Sequence, residues 1–291
     1  DEGMDDYAMS LLDLERKQWD TGWRDTVTQE REGRVEIALA GKYDFEDAYL
    51  SVYEALKHAG LEHNVETEVL WVDSDEMEEK DKQNLMQADG LIVPGGFGER
   101  GTEGKIEAVR YARDNDVPFL GLCFGFQMAV VEYARNVADI EDAHSAEIRE
   151  DAENPVIDLL PEQYDLEDLG GTMRLGDKTT VIEEGTQAHR LYGKNEVSER
   201  HRHRFEVNPD YIDELEGAGM KFSGRSESGT RMEILEHPYF IGTQFHPEFK
   251  SRPRTPSPPF VGLVEAAMDY KDKDRENAEE VETGEIEVDQ D

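Results

Sequence analysis

The first half of the chain alternates short apolar runs with longer stretches in which apolar residues recur at the helical period. The apolar runs lie at 35–40, 65–72, 91–93 and 117–120, and the amphipathic stretches at 47–59, 75–86 and 105–115. Alternating strands and helices predict an α/β fold, with a mostly parallel central sheet flanked by helices. Active sites in such folds lie at the carboxyl ends of the strands.

The second half changes character, because short alternating runs follow one another with few helical stretches between them. The predicted strands lie at 179–183, 199–207, 220–225 and 231–236, followed by a strand over 239–245. They are typical of an antiparallel extension of the sheet. A long polar segment, 161–176, is interpreted as a loop that acts as a lid.

Three segments of different composition divide the chain. Residues 1–33 are polar and acidic and are interpreted as the remnant of an interdomain linker. Residues 34–270 carry the alternating pattern and form one domain. Residues 271–291 are nearly all charged or small, which predicts a disordered acidic tail.

The charge of the chain limits its partners. Of 291 residues, 69 are Asp or Glu and 31 are Lys or Arg, a net charge of −38. Such a charge argues against nucleic acid or an anionic membrane surface as a partner. A net charge of this size is tolerated in concentrated salt, because the Debye length falls to about 3 Å near 1 M and the repulsion between like charges is screened. We therefore expect a halophilic source.

One cysteine, and no apolar run long enough to span a bilayer, also bear on location. A single cysteine excludes an internal disulfide and is typical of a reducing compartment. The sequence shows no signal peptide. Together these features predict a cytoplasmic protein.

That cysteine has distinctive surroundings. Cys123 lies between Gly121 and Gly125, after the apolar run 117–120 and before the helical stretch 127–135. A strand, a tight glycine-flanked turn and a helix form the nucleophile-elbow pattern, here with sulfur as the nucleophile. The N-terminal amides of the helix would favour a thiolate. A buried cysteine packed as a small hydrophobic residue is the alternative.

A base for this nucleophile is found far downstream. His246 follows the strand predicted over 239–245, and Glu248 comes two residues later. An imidazole can take the thiol proton and return it to a leaving amine, while a carboxylate holds the ring in one tautomer. The sequence therefore predicts a Cys–His–Glu triad.

Acyl transfer also needs backbone donors for an oxyanion. One candidate is the amide of Phe124, and another is Gly96 in the glycine loop after the strand 91–93. The same loop spells G-x-G-x-x-G through Gly96, Gly98 and Gly101, so a dinucleotide site is an alternative. The loop follows an interior strand rather than the first βα unit, which speaks against that alternative.

The basic string 200–204, Arg-His-Arg-His-Arg, raises two further alternatives, a metal site and nucleic-acid binding. Strand alternation places both of its histidines on one face. A metal site would need ligands that the spacing does not supply. We predict no metal site in the chain.

Five strings carry a family resemblance. They are GKY (41–43) with DAYLSV (47–52), PGGFGERG (94–101), GGTMRLG (170–176), ERHRHRFEVN (199–208) and QFHPEF (244–249). With the elbow, they resemble the class I glutamine amidotransferases, and in particular the C-terminal glutaminase domain of the CTP synthase family. The likeness spans roughly residues 35–270. Phe124, Phe126 and Phe205 depart from the usual Leu, Met and Tyr of that pattern.

The resemblance implies a role for each matching position. Cys123 would be the nucleophile, His246 the general base and acid, and Glu248 the orienting carboxylate. Gly96 and Phe124 would supply the oxyanion amides. The glutamine substrate would be held by Gln127, Glu147 and Arg204.

The resemblance also implies partners. L-glutamine would be hydrolysed to glutamate and ammonia without a cofactor in this domain. A synthetase domain, absent from this chain, would use the ammonia to aminate UTP to CTP with ATP and Mg²⁺. GTP would be the activator, and the intact enzyme would be a homo-oligomer.

Two rival functions stay open at this stage. One is a cysteine hydrolase or peptidase of the same fold that acts on another γ-glutamyl substrate. The other is a catalytically inactive, nucleotide-regulated module.

Overall fold

A long mixed sheet runs through the centre of the fold. The computed structural model describes residues 4–14, 22, 26, 28–43, 45–159, 173–237 and 240–283. The strands are β1 (Gly33–Gly41), β2 (Val65–Asp73), β3 (Gly90–Val93), β4 (Phe119–Leu122), β5 (Ala143–Ser145), β6 (Asn154–Asp158), β7 (Arg174–Ile182), β8 (Glu196–His203), β9 (Glu206–Val207), β10 (Lys221–Ser226), β11 (Met232–His237) and β12 (Phe240–Thr243). In this part of the chain, nine strands form the main sheet in the order β2-β1-β3-β4-β12-β11-β10-β7-β8.

Helices lie between these strands. They are α1 (Met4–Leu11), α2 (Leu50–His63), α3 (Glu79–Gln87), α4 (Thr102–Asp114), α5 (Phe124–Asn136), α6 (Gln187–Tyr192), α7 (Ile212–Gly217) and α8 (Pro258–Thr283). Short 3-10 turns occur at Glu46–Tyr49, Pro209–Tyr211 and Pro247–Lys250. None of the helices described here is long and apolar enough to cross a membrane.

The first half of the sheet is parallel, as predicted. β1 pairs with β2 and β3, β3 with β4, and β4 with β12, all in parallel. The residues of β3 and β4 are all buried, as expected for strands covered on both faces. Thr243 of β12 is paired with Leu122 of β4, so the segments that follow these two strands leave the sheet side by side.

The antiparallel extension is also present. β12, β11, β10, β7 and β8 pair in succession as antiparallel neighbours. A second, three-stranded sheet, β5-β6-β9, was not predicted. Its strands are two to five residues long and offer too little alternation to be recognised from the sequence.

Apolar side chains fill the space on both faces of the main sheet. One cluster contains buried residues of α4 and α5, such as Ile106, Val109 and Phe126. The other contains residues of α2 and α8, including Leu56 and Phe260. Helices therefore cover both faces, which confirms the predicted α/β class.

Several boundaries differ from the predictions. α8 continues to Thr283, so residues 271–283 are helical and the predicted tail from 271 is corrected over that range. Of the predicted lid loop, residues 160–172 lie outside the described part, while Arg174–Gly176 belong to β7. The strand predicted over 199–207 is two strands, because the chain turns at Arg204 between β8 and β9.

Candidate active site

The nucleophile elbow forms as a sharp turn between β4 and α5. Cys123 has φ 50° and ψ −97°, a conformation that costs a non-glycine residue about 1–3 kcal/mol. Its N–H donates to the carbonyl of Thr243 at 2.7 Å, which ties the turn to β12. A side chain at Gly125 would overlap the carbonyl oxygen of Val93. The close approach of α5 to β3 therefore requires glycine after the cysteine.

Two strands position the imidazole. His246 follows β12, and its N–H donates to the carbonyl of Arg200 in β8 at 2.8 Å. The 3-10 turn Pro247–Lys250 brings Glu248 back toward the ring, where its Oε1 lies 2.7 Å from Nδ1 of His246. The other ring nitrogen is left for Cys123, whose sulfur acts electrostatically on the ring. The structure therefore brings the three predicted triad residues together.

The charge of the ring follows from these contacts. Burial alone would lower the pKa of His246, but the Cys123 sulfur and then the Glu248 carboxylate outweigh it and raise that pKa to about 11. The ring is therefore a cation at neutral pH, beside the sulfur of the predicted nucleophile. It carries a proton that could be given to a leaving group.

The sulfur lies at the floor of the site. Cys123 is 4% exposed, whereas the side chain of His246 keeps 14%, so the site opens on the imidazole side. Nε2 of Gln244 lies 3.8 Å from Sγ, and the carbonyl of Arg202 lies 3.9 Å from it. Gln127 donates to Oε1 of Gln244 at 3.2 Å. Gln127 thus reaches the nucleophile through Gln244.

The glycine loop after β3 covers the other side of the sulfur. A Cβ on Gly95 would lie 2.9 Å from Cε1 of His246 and 3.8 Å from Cβ of Cys123. Gly96 lies beside the ring of Phe124, which begins α5. The first amides of a helix have no acceptor within the helix. Gly96 and Phe124 are therefore adjacent, as an oxyanion hole requires.

Glu147 and Arg204 lie beside this loop. Burial raises the pKa of Glu147, while the backbone N–H of Gly98 and then the charge of Arg204 act in the opposite direction. Arg204 lies in the turn between β8 and β9. The structure thus places an acidic and a basic group within electrostatic reach of each other next to the glycine loop.

The two histidines of the basic string lie inward from the site. His201 and His203 share one buried face of β8, and their rings are joined by a 2.9 Å hydrogen bond from Nδ1 of His201 to Nε2 of His203. Nδ1 of His203 donates to the carbonyl of Phe205 at 3.1 Å. Burial above all lowers the pKa of His201 to about 2 and that of His203 to about 3. Both rings are neutral and form part of the interior.

Two residues near the sulfur were not predicted. Gln244 appeared only as part of a string, although the pairing of β12 with β4 explains its contact with Cys123. Lys105 is 1% exposed, with Nζ 3.0 Å from the position of a Cβ on Gly96. Nothing in a sequence distinguishes such a lysine, because lysines on amphipathic helices are normally exposed.

Comparisons with known proteins agree with this geometry. The family model for glutamine amidotransferase class-I matches residues 44–266. The CTP synthase of Haloarcula marismortui is 63% identical over 278 residues, which cover 92% of this chain and 50% of that protein. The CTP synthase of Archaeoglobus fulgidus is 54% identical and covers 93% of this chain and 52% of its own length.

A solved structure is similar as well. The glutaminase domain of Trypanosoma brucei CTPS, determined with bound acivicin, superposes with a TM-score of 0.75 at 37% identity. The match covers 81% of this chain and 94% of that domain. The similarity to haloarchaeal enzymes supports the halophilic source expected from the charge.

The chain spans about half the length of the curated relatives that it matches. Its fold, the match over residues 44–266 and the close relatives confirm the predicted family. The chain belongs to the class I glutamine amidotransferases and corresponds to the glutaminase part of CTP synthases.

Proposed function

We propose that this chain hydrolyses L-glutamine to glutamate and ammonia through a cysteinyl thioester. The observation that carries the proposal is the grouping of Cys123, His246 and Glu248. Oε1 of Glu248 lies 2.7 Å from Nδ1 of His246, and the Cys123 sulfur acts electrostatically on the same ring. The bound glutamine analogue in the T. brucei domain supports the choice of substrate.

In the first half of the reaction, the thiolate of Cys123 attacks the side-chain amide carbon of glutamine. The carbon–oxygen double bond becomes a single bond, and the amides of Gly96 and Phe124 donate to the resulting oxyanion. The His246 imidazolium gives its proton to the amide nitrogen. The carbon–nitrogen bond then breaks, ammonia leaves, and a thioester remains on Cys123.

In the second half, water replaces ammonia. His246, now neutral, takes a proton from water as the oxygen attacks the thioester carbon. The carbon–sulfur bond breaks, glutamate leaves, and the imidazolium–thiolate pair forms again. Glu248 keeps the ring oriented in both halves because it holds Nδ1 throughout.

Three residues would bind the amino-acid end of the glutamine substrate. Arg204 would pair with the substrate carboxylate and Glu147 with its ammonium. Gln127 offers a buried Oε1 that has no hydrogen-bond partner among the described residues. That oxygen is available as an acceptor for substrate.

The intact enzyme would deliver the ammonia to a synthetase domain that aminates UTP to CTP with ATP and Mg²⁺. Its assembly as a homo-oligomer and its cytoplasmic location are part of the same proposal. A surface next to the glycine loop is where GTP would bind as the activator. The ring of Phe97 is 65% exposed there, with Nζ of Lys42 4.3 Å from its centroid, and the guanidinium of Arg100 lies 5.2 Å from the ring centroid of Tyr43. An aromatic face with flanking cations suits a purine and its phosphates.

The test measures ammonia release from glutamine at about 2–3 M salt, where screening suits the charge of the chain. The wild-type chain should release ammonia and glutamate in equal amounts. Acivicin should label Cys123 stoichiometrically, and Cys123→Ser should lose both activity and labelling.

The variant Arg204→Met distinguishes glutamine hydrolysis from the activity of the rival cysteine hydrolase. It should raise KM for glutamine at least about tenfold, because a charged hydrogen bond is lost, while alkylation of Cys123 by iodoacetamide continues. An unreactive cysteine in the wild-type chain would contradict the proposal and support the inactive module. Equal turnover of γ-glutamyl peptides and glutamine would support the rival hydrolase.

A further inference from the structure

A buried lysine lies behind the glycine loop. Lys105 occupies the first turn of α4, where its N–H donates to the carbonyl of Gly101 at 3.2 Å. The whole residue is 1% exposed. Burying an ammonium costs several kcal/mol unless it is compensated, so a lysine in this position needs a physical reason.

The surroundings of Nζ are those of the oxyanion hole. Nζ lies 3.0 Å from the position of a Cβ on Gly96 and 5.1 Å from the ring centroid of Phe124. The interaction that the structure shows for Nζ is this cation–π contact with Phe124. The two residues beside it, Gly96 and Phe124, are the ones whose amides are proposed to donate to the oxyanion.

Other charges do not explain this lysine. The strand β3, against which α4 packs, is entirely apolar. On α5, Glu132 is paired with Arg113, and Arg135 is paired with Glu103. The groups that act electrostatically on Lys105 are Lys42 and the Cys123 sulfur.

We propose that Lys105 is a positioning residue for acyl transfer, with its ammonium behind Gly96 and Phe124 providing positive potential where the sulfur and the oxyanion carry negative charge. The inference rests on the proposed function, because it concerns the same reaction. The side chain touches neither sulfur nor substrate. It acts by supporting the two donor residues and by its charge, which a low-dielectric site screens weakly.

Two ionisation effects oppose each other at this position. Burial, followed by the charge of Lys42, lowers the pKa of Lys105 to about 7, while the Cys123 sulfur acts in the opposite direction. A negative charge on the sulfur therefore favours the ammonium form of Lys105.

Alkylation of the cysteine gives a direct test, because the chain contains one cysteine and every label reports on Cys123. The rate of reaction with iodoacetamide is measured against pH for the wild type, Lys105→Met and Lys105→Arg. Met matches the length of the side chain without the charge. Lys57→Met is the control, since Lys57 is exposed on α2 and pairs only with Glu54 among the described residues.

Lys105→Met should move the midpoint of the alkylation profile upward by about 0.5–1 pH unit, because a nearby cation is lost. It should also lower kcat for glutamine about tenfold with little change in KM. Lys105→Arg keeps the positive charge, so its alkylation midpoint and its kcat should stay close to those of the wild type. Lys57→Met should match the wild type in both measurements.

An alkylation profile that is unchanged in Lys105→Met would overturn the inference and leave a packing role. Lys105→Gln is the second neutral variant if Met prevents folding, with the same expectation. A wild-type chain that releases no ammonia but shows the shift between variants would refute the proposed function and support only the electrostatic action of Lys105 on Cys123.

Discussion

Replacing Gly95 by alanine tests whether the glycine loop holds the imidazole in place. The new methyl group would lie 2.9 Å from Cε1 of His246. Carbon atoms in contact are normally about 3.5–4.0 Å apart. The ring or the loop must therefore move by at least about 0.6 Å.

That displacement changes the position of the His246 ring relative to the Cys123 sulfur. A misplacement of about 1 Å at a reacting group can cost about 100-fold in rate. For about 0.6 Å we expect a loss of about 10- to 100-fold in kcat, or about 1.4–2.7 kcal/mol. KM should change less than kcat, because the clash is with the His246 ring rather than with the residues proposed to bind the amino-acid end.

The assay is steady-state ammonia release, with Gly217→Ala as the control. Gly217 ends α7 and has no atom within 4 Å of an added Cβ. That variant should keep wild-type kinetics. A Gly95→Ala enzyme with kcat within about threefold of the wild type would refute the idea that the loop and the ring are in tight contact.

Two further predictions concern stability. Arg113→Met removes three hydrogen bonds from the carboxylate of Glu132, whose side chain is 1% exposed, and should lower the free energy of unfolding by about 3–5 kcal/mol. Arg110→Met, at an exposed pair with Asp114, should cost less than about 1 kcal/mol, and equal losses in denaturant titrations would contradict the argument. Burial above all raises the pKa of Glu199 from 4.5 to about 7, so the folded chain keeps a proton that the unfolded chain releases, and stability falls as pH rises through that window. Glu199→Gln should flatten this part of the stability curve by up to about 1.4 kcal/mol per pH unit, and a slope equal to that of the exposed control Glu196→Gln would show that Glu199 does not titrate there.

The sequence predicted the parallel half of the fold well because its signals are local. Strands such as β3 and β4 are short apolar runs, and each is followed by a glycine turn that punctuates the pattern. The cysteine elbow is a local signal of the same kind. These features depend on residues that are close together along the chain, so they can be recognised from the sequence alone.

What the sequence did not show depends on contacts between distant segments. The strands of the small sheet gain their stability from one another, as in the pairing of Ile157 with Val207. Lys105 is buried only because the loop at Gly96 and the helix at Phe124 close over it. The position of Gln244 beside Cys123 likewise follows from the register of β12 on β4.

The strained turn and the triad depend on the same strand pairing. Cys123 keeps its positive φ because its N–H is bonded to Thr243, the last residue of β12. His246 stands three residues beyond Thr243 and is bonded by its own N–H to β8. The nucleophile and the base are thus both positioned by β12, although residues 123 and 246 are far apart along the chain. A change that shifts β12 in register would release the strain in the turn and separate the pair together, so the elbow geometry and catalytic competence should be lost in one step.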